Sequence, residues 1–159
     1  MIRRKMDSSA PIMILEKIRH YCGYQERCIL DVEEKLKDWE VQRKRIPGLI
    51  NQLQKEGYLD EERFAKAFAN GKFRHNKWGR QKIGFELKTR GIPELIILEG
   101  LTAIDENEYH QVLKELVLRK QKEFKQETDL NIREKIINFA LGKGYEMELI
   151  LDLVKKLKI

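Results

Sequence analysis

The stretch Glu56-Gly57-Tyr58-Leu59-Asp60-Glu61-Glu62-Arg63-Phe64-Ala65 packs a helix stop, a turn and a capped helix start into ten residues. Glycine is the usual residue just past a helix C-terminus. Aspartate is a favoured N-cap, and Glu61 and Glu62 complement the dipole of the helix that follows. The same punctuation recurs at Arg90-Gly91 before Ile92 and Pro93, at Ile104-Asp105-Glu106-Asn107, and at Gly142-Lys143-Gly144. Between these marks the apolar residues fall at three- and four-residue steps. No segment alternates with period two, so the chain reads as all-α.

Nine helices follow from this pattern. Ser9 caps the first, with Pro11 in its opening turn. Ile14, Leu15, Ile18, Tyr21 and Cys22 share one face, and Gly23-Tyr24 break it. The second carries Ile29, Val32, Leu36 and Trp39. The third starts near Pro47 and runs through Leu49, Ile50 and Leu53 to Glu56. Asp60 opens the fourth, with Phe64, Ala65, Phe68 and Phe73 inward, and Lys72–Lys77 passes into a basic loop centred on Trp78. Ile83 and Leu87 face the core from the fifth helix, which Gly91 ends. Pro93 takes the first position of the sixth, whose buried face includes Leu95, Ile96 and Leu98 or Leu101. Asp105 caps the seventh in a capping box with Glu108, and Tyr109, Val112, Leu113, Leu116 and Val117 form its stripe as far as Phe124. The eighth starts at Asp129 or Asn131, with Ile132, Ile136, Phe139 and Ala140 inward. The ninth carries Leu149, Ile150, Leu153, Val154 and Leu157, and ends on Lys155, Lys156 and Lys158.

The junctions pair across the chain. Leu59-Asp60 with Phe64 matches Ile104-Asp105 with Tyr109, an apolar residue before an aspartate cap and an aromatic four residues after it. Arg90-Gly91-Ile92 matches Lys143-Gly144-Tyr145, and Trp39–Val41 is a form lacking the glycine. The chain thus divides into three tandem three-helix repeats at 10–58, 59–103 and 104–159, expected to stack into an elongated curved array. Such an array offers an extended surface for a long partner rather than one deep pocket.

Charge adds a direction. The net charge is +6, which favours polyanions or acidic surfaces. Between residues 72 and 90, Lys72, Arg74, Lys77, Arg80, Lys82, Lys88 and Arg90 oppose Glu86 alone, an excess equal to that of the whole chain. Phe73 and Trp78 are interleaved with them. Bases could stack on such rings while the cations meet phosphates. Packing of Trp78 onto the helix junction and a merely solvated basic face are the structural alternatives. Cys22 and Cys28, without companions that would complete a zinc site, read as small core residues in a reducing compartment. No secretory or membrane-spanning run is present, and the expected location is the cytoplasm. His20 and Cys22 point to different faces of a helix, and Gly79-Arg80-Gln81-Lys82-Ile83-Gly84 lacks the spacing and the strand of a phosphate loop. No catalytic constellation emerges, so the expectation is a non-enzyme without metal or other cofactor.

Gly57–Ala65, then Trp78-Gly79 with Lys82-Ile83, then Glu86-Leu87-Lys88-Thr89-Arg90-Gly91-Ile92, resemble the central signature of the RecX regulatory proteins, bacterial modulators of the RecA recombinase. The Lys143-Gly144-Tyr145 junction is similar to that family's third unit. The Trp39–Pro47 junction is longer than in many relatives, and the N-terminus is shorter. The resemblance implies a protein that binds RecA, free and as filaments on DNA, lies in the filament groove, and inhibits filament extension, strand exchange, ATP hydrolysis and coprotease activity. It thereby implies a part in DNA repair, recombination and the SOS response, with no cofactor. Lys72, Arg74, Lys77, Trp78, Arg80, Lys82, Lys88 and Arg90 are the candidate contacts to RecA or to single- or double-stranded DNA. The free protein is expected to be a monomer. A helical DNA-binding protein or a scaffold acting independently of RecA are the alternatives. Against sequence-specific DNA readout stands the fifth helix, made mainly of Lys, Glu and apolar residues.

Overall fold

The computed structural model describes residues 11–124 and 131–159, and all regular elements among them are helical. They are α1 (Pro11–Tyr24), α2 (Ile29–Asp38), α3 (Ile46–Lys55), α4 (Glu61–Asn76), α5 (Arg80–Thr89), α6 (Glu94–Thr102), α7 (Glu106–Glu123), α8 (Ile132–Gly142) and α9 (Met147–Lys156). A 3₁₀ turn at Arg43–Arg45 leads into α3. The expected Ser9 cap and the Asp129 start lie outside the described residues; Asn131 stands at the N-cap position of α8 without a side-chain cap bond to it.

The local chemistry explains where the helices begin and end. Asp60 accepts the Arg63 N–H at 3.1 Å, and Asp105 accepts the Glu108 N–H at 2.8 Å. Each cap satisfies one of the orphan donors of the first turn. At the other ends the residues with positive φ are Glu40, Gly57, Lys77, Gly91, Gly144 and Lys158. Each precedes a residue whose N–H reaches back to a carbonyl in the last turn: Val41 to Leu36, Tyr58 to Leu53, Trp78 to Lys72, Ile92 to Leu87, Tyr145 to Ala140 and Ile159 to Val154. This is the left-handed stop that glycine adopts at least cost. Glu40 adopts it at φ 58° without being glycine, at the junction that lacked one in the sequence.

Several boundaries differ from expectation. α4 continues to Asn76, so most of the expected basic loop is helix and only Lys77–Gly79 links α4 to α5. Gly23 and Tyr24 lie inside the last turn of α1. Pro93 is the N-cap of α6 rather than its first residue. The buried face of α6 is also rotated. Ile97 and Gly100 face inward, Ile96 and Leu101 are half-buried, and Leu95 and Leu98 are exposed. Gly100 sets this face, because a Cβ there would lie 3.0 Å from the Ala65 Cβ. Two small residues bring α6 close onto α4.

Two buried clusters form the core. The smaller joins α1, α2 and α3 through Ile14, Ile18, Val32, Leu36, Ile50 and Leu53, and takes in Leu59. The larger runs continuously through α4 to α9, from Phe64 and Phe73 to Tyr109, Tyr145 and Ile150, and takes in Cys28 from the start of α2. One apolar spacing recurs in each set of three helices: Val32, Leu36, Val41, Ile46, Ile50, Leu53; Ile83, Leu87, Ile92, Ile97, Leu101, Ile104; Ile136, Ala140, Tyr145, Ile150, Val154, Leu157. All eighteen are buried or packed against buried neighbours.

Candidate functional site

Phe64, Phe68 and Lys72 follow one another at four-residue steps on α4, which places them on one face. The loop then brings Trp78 beside them, and α5 and its C-cap carry Lys82 and Arg90 past the same face. The cations lie over the rings in sequence. The Arg90 guanidinium is 5.9 Å from the Phe64 ring and 5.2 Å from Phe68. The Lys72 ammonium is 5.6 Å from Phe68 and 4.9 Å from Trp78, and Lys82 is 4.5 Å from Trp78. Phe64 and Phe68 are themselves in tilted contact at 5.7 Å. Each such contact is worth about 0.5–1 kcal/mol at an exposed site. Together they fix a strip of cations whose charge can still reach a phosphate or a carboxylate. Across a groove from Phe64, Phe68 and Arg90 stand Gln25, Glu26, Arg27 and Asp31.

The eight expected site residues divide by what holds them. Lys72, Trp78, Lys82 and Arg90 belong to the strip, and Trp78 also packs against the larger core. Arg90 is in addition paired with Asp31 of α2 at 3.2 Å. Arg74 and Lys88 are exposed. Arg80 is turned to another task, the joining of α4–α6 to α7–α9, to which Lys77 contributes its backbone carbonyl. Arg80 pairs with Glu106 at 2.6 Å and lies 4.0 Å over the Tyr109 ring, with its side chain only 20% exposed. The Tyr109 hydroxyl accepts the Arg80 N–H at 3.0 Å and donates to Glu146 at 2.8 Å. The Lys77 carbonyl accepts the Tyr145 hydroxyl at 2.9 Å.

The titrations follow these contacts. The Arg80 guanidinium holds the Glu106 carboxyl below the usual carboxylate range. Burial pushes the Tyr109 and Tyr145 hydroxyls well above the usual phenol range, so both keep the protons their hydrogen bonds use. Burial also raises the Cys22 and Cys28 thiols to about 11, which suits inert core residues and not nucleophiles. Among the described residues no three His, Cys, Asp or Glu side chains gather to hold a metal, and no helix is long and apolar enough to cross a membrane.

Sequence reasoning missed the contribution of Phe64 and Phe68 to the strip, having placed them only in the core. Their four-residue register with Lys72 carried that signal. It also missed the opposite wall of the groove, whose residues come from the α1–α2 junction and leave no mark near Trp78.

Comparisons with known proteins agree with one another. The family model described as RecX, second three-helix domain, matches residues 60–101, the segment that carries the strip. A regulatory protein RecX of Clostridium acetobutylicum is 33% identical over 131 residues, which is 80% of this chain and 60% of that protein. Another, from Lactobacillus delbrueckii subsp. bulgaricus, is 25% identical over 96% of this chain and 58% of its own length. The chain thus spans about 60% of the length of these curated relatives. The crystal structure of RecX from Lactobacillus salivarius shares the fold with a TM-score of 0.82 at 20% identity, over 91% of this chain and 94% of that one. A second RecX crystal structure gives the same TM-score at 18% identity, over 91% of this chain and 71% of that one. In sequence and in fold the chain is thus similar to the RecX regulatory proteins.

Proposed function

We propose that this protein is a non-enzymatic regulator that binds the RecA recombinase, free and as filaments on DNA, and inhibits its ATPase, strand-exchange and coprotease activities in the cytoplasm, modulating DNA repair and recombination. We read it as a monomer of three tandem units at 10–58, 59–103 and 104–159 that lies along the filament, and the threefold recurrence of one apolar spacing supports that division. The observation that carries the reading is the cation–ring strip, Arg90-Phe68-Lys72-Trp78-Lys82, within the segment matched to the family model. Cations held over rings sacrifice less side-chain freedom when they meet an acidic protein surface or a phosphate. Many such contacts along a filament bias assembly without any chemistry being done.

The test is RecA ATP hydrolysis on single-stranded DNA. The protein should inhibit it well below one copy per RecA monomer, and added salt should weaken that inhibition. Reversing Lys72, Arg74 and Lys82 to Glu should weaken inhibition about ten-fold or more while leaving helicity unchanged. Arg80 and Arg90 are left intact because their ion pairs join helices. Unchanged inhibition by the folded triple variant would move the contact surface elsewhere. A second reading draws on Trp78, which Lys72 and Lys82 both approach as in a single-strand stacking site. DNA binding by the protein alone, with RecA activity untouched, would favour that reading and end the first.

A further inference from the structure

We propose that the groove between α1 and α2 is a docking site for an acidic peptide carrying an aromatic or aliphatic anchor. It shares Arg27 with the wall opposite the α4–α5 strip, but Lys35 and Trp39 belong to it and not to that groove, and its test involves neither RecA nor DNA filaments, so either proposal can fail alone. The floor is apolar and open: Tyr21 and Trp39 line it, with Met13 60% exposed and Tyr24 79% exposed at its edge. Side chains that leave this much apolar area in water gain by being covered.

The charge at the groove points to the partner. Arg27 sits 3.8 Å over the Tyr21 ring and donates to the Tyr21 carbonyl at 3.2 Å. Lys35 lies 5.4 Å from the Tyr21 ring and 5.8 Å from that of Trp39. Neither cation has a carboxylate within ion-pair distance among the described residues, whereas Arg19, Arg63, Arg80 and Arg90 each hold one. Two cations are therefore positioned over half-buried rings at the groove without an ion-pair partner among the described residues. A carboxylate arriving with an apolar side chain satisfies both features at once.

A peptide fits better than a nucleic acid. Glu16 stands in the wall of the groove, and Glu34 and Asp38 are exposed within four residues of Lys35 on α2. A continuous phosphate backbone would run against these carboxylates. Separate acidic side chains can be spaced around them.

The probe is a short fluorescein-labelled peptide of glutamates around a central phenylalanine, titrated with the whole chain and read by fluorescence anisotropy. Saturable binding is expected, weakened about ten-fold by Lys35→Glu and by replacing the phenylalanine of the peptide with serine. Trp39→Ala should weaken it as well, but Trp39 packs against the smaller core, so the surface variant Lys35→Glu is the deciding one and its circular dichroism should match the parent. Equal affinity of parent and Lys35→Glu, or no saturable binding, overturns the proposal. So does a single-stranded oligothymidine that binds more tightly than the peptide and loses affinity on Lys35→Glu, which would make the groove a nucleic-acid site.

Discussion

The junction between α4–α6 and α7–α9 and the junction between α1–α3 and the rest are held by different physics. In the first, backbone meets backbone, with one ion pair, Arg80 to Glu106, at its edge. The Gly79 N–H donates to the Lys143 carbonyl at 2.7 Å and the Gln81 N–H to the Gly144 carbonyl at 2.9 Å. Gly144 thereby satisfies a donor at the start of α5, and the Tyr109 and Tyr145 hydroxyls close the remaining gaps within one continuous core. In the second, the polar links lie nearer the surface: Arg63 with Glu26 at 2.6 Å, Arg90 with Asp31 at 3.2 Å, and the Ile29 N–H donating to Glu61 at 3.4 Å. Cys28 packs across into the larger core and Leu59 into the smaller. The lesson is one of tolerance. A backbone junction resists salt but has no room for a methyl group. An ion-paired junction has room but weakens as salt rises.

The sharpest way to break this comparison is Gly79→Ala. Its Cβ would fall well inside contact distance of the Gly144 carbonyl, which is backbone and cannot rotate away. A loss of about 3 kcal/mol or more is expected in urea unfolding. Gly57→Ala is the control, since it meets nothing within 4 Å and costs only the strain of φ 79°, about 1–2 kcal/mol. If Gly79→Ala costs no more than Gly57→Ala, the two helix triplets are not locked by close approach.

Cavities should distinguish the two bodies next. Leu36 and Leu87 are each fully buried and hold the same place in the recurring apolar spacing. Truncating either to alanine should cost about 2–5 kcal/mol. Hydrogen exchange should separate them: Leu36→Ala should raise exchange in α1–α3, and Leu87→Ala throughout α4–α9. Uniform acceleration by both would mean that the two clusters unfold as one.

What could be read in the sequence was mostly local. Asp60, Asp105, Gly57, Gly91 and Gly144 act on their own turns, so their roles were legible before any contact was known. Glu40 shows the limit, because a residue with no preference for positive φ adopts it where the flanking Leu36 and Val41 demand the stop. The face of α6 was not legible, since ELIILEGLT is apolar on several sides and its orientation is decided by Ala65, far away in sequence. The candidate site divides the same way. Its excess charge could be counted, but which cations are tied down depends on Glu106 and Asp31, 26 and 59 positions from their partners.

A smaller effect should come from salt. Arg63→Ala removes the ion pair to Glu26 and the hydrogen bond to the Gly57 carbonyl. The pair is partly exposed, so a loss of about 1 kcal/mol or less is expected. That loss should shrink as salt rises, and exchange should increase in α1–α3 before α4–α9. A salt response that begins in α7–α9 would reverse the assignment of the two junctions.

The finest test is pH, because a carboxylate at each junction is shifted in the opposite direction. Arg80 lowers the pKa of Glu106 in the folded state. Its contribution is therefore complete above the unfolded value near ~4.3 and is lost as pH falls through the lower folded value. Glu61, between α2 and α4, is raised, chiefly by burial, although the Ile29 N–H opposes this. Its ionised form therefore costs stability above the folded value, and that cost is gone below the unfolded one. Glu106→Gln should be less stable than the parent at neutral pH, by about 1 kcal/mol or less given its exposure, and the deficit should close in acid. Glu61→Gln should be more stable at neutral pH, keep an oxygen for Ile29, and lose its advantage in acid. Denaturant midpoints measured from neutral pH to below the carboxylate range would show two difference curves of opposite sign. Curves of the same sign would mean that one junction has been assigned the wrong electrostatics.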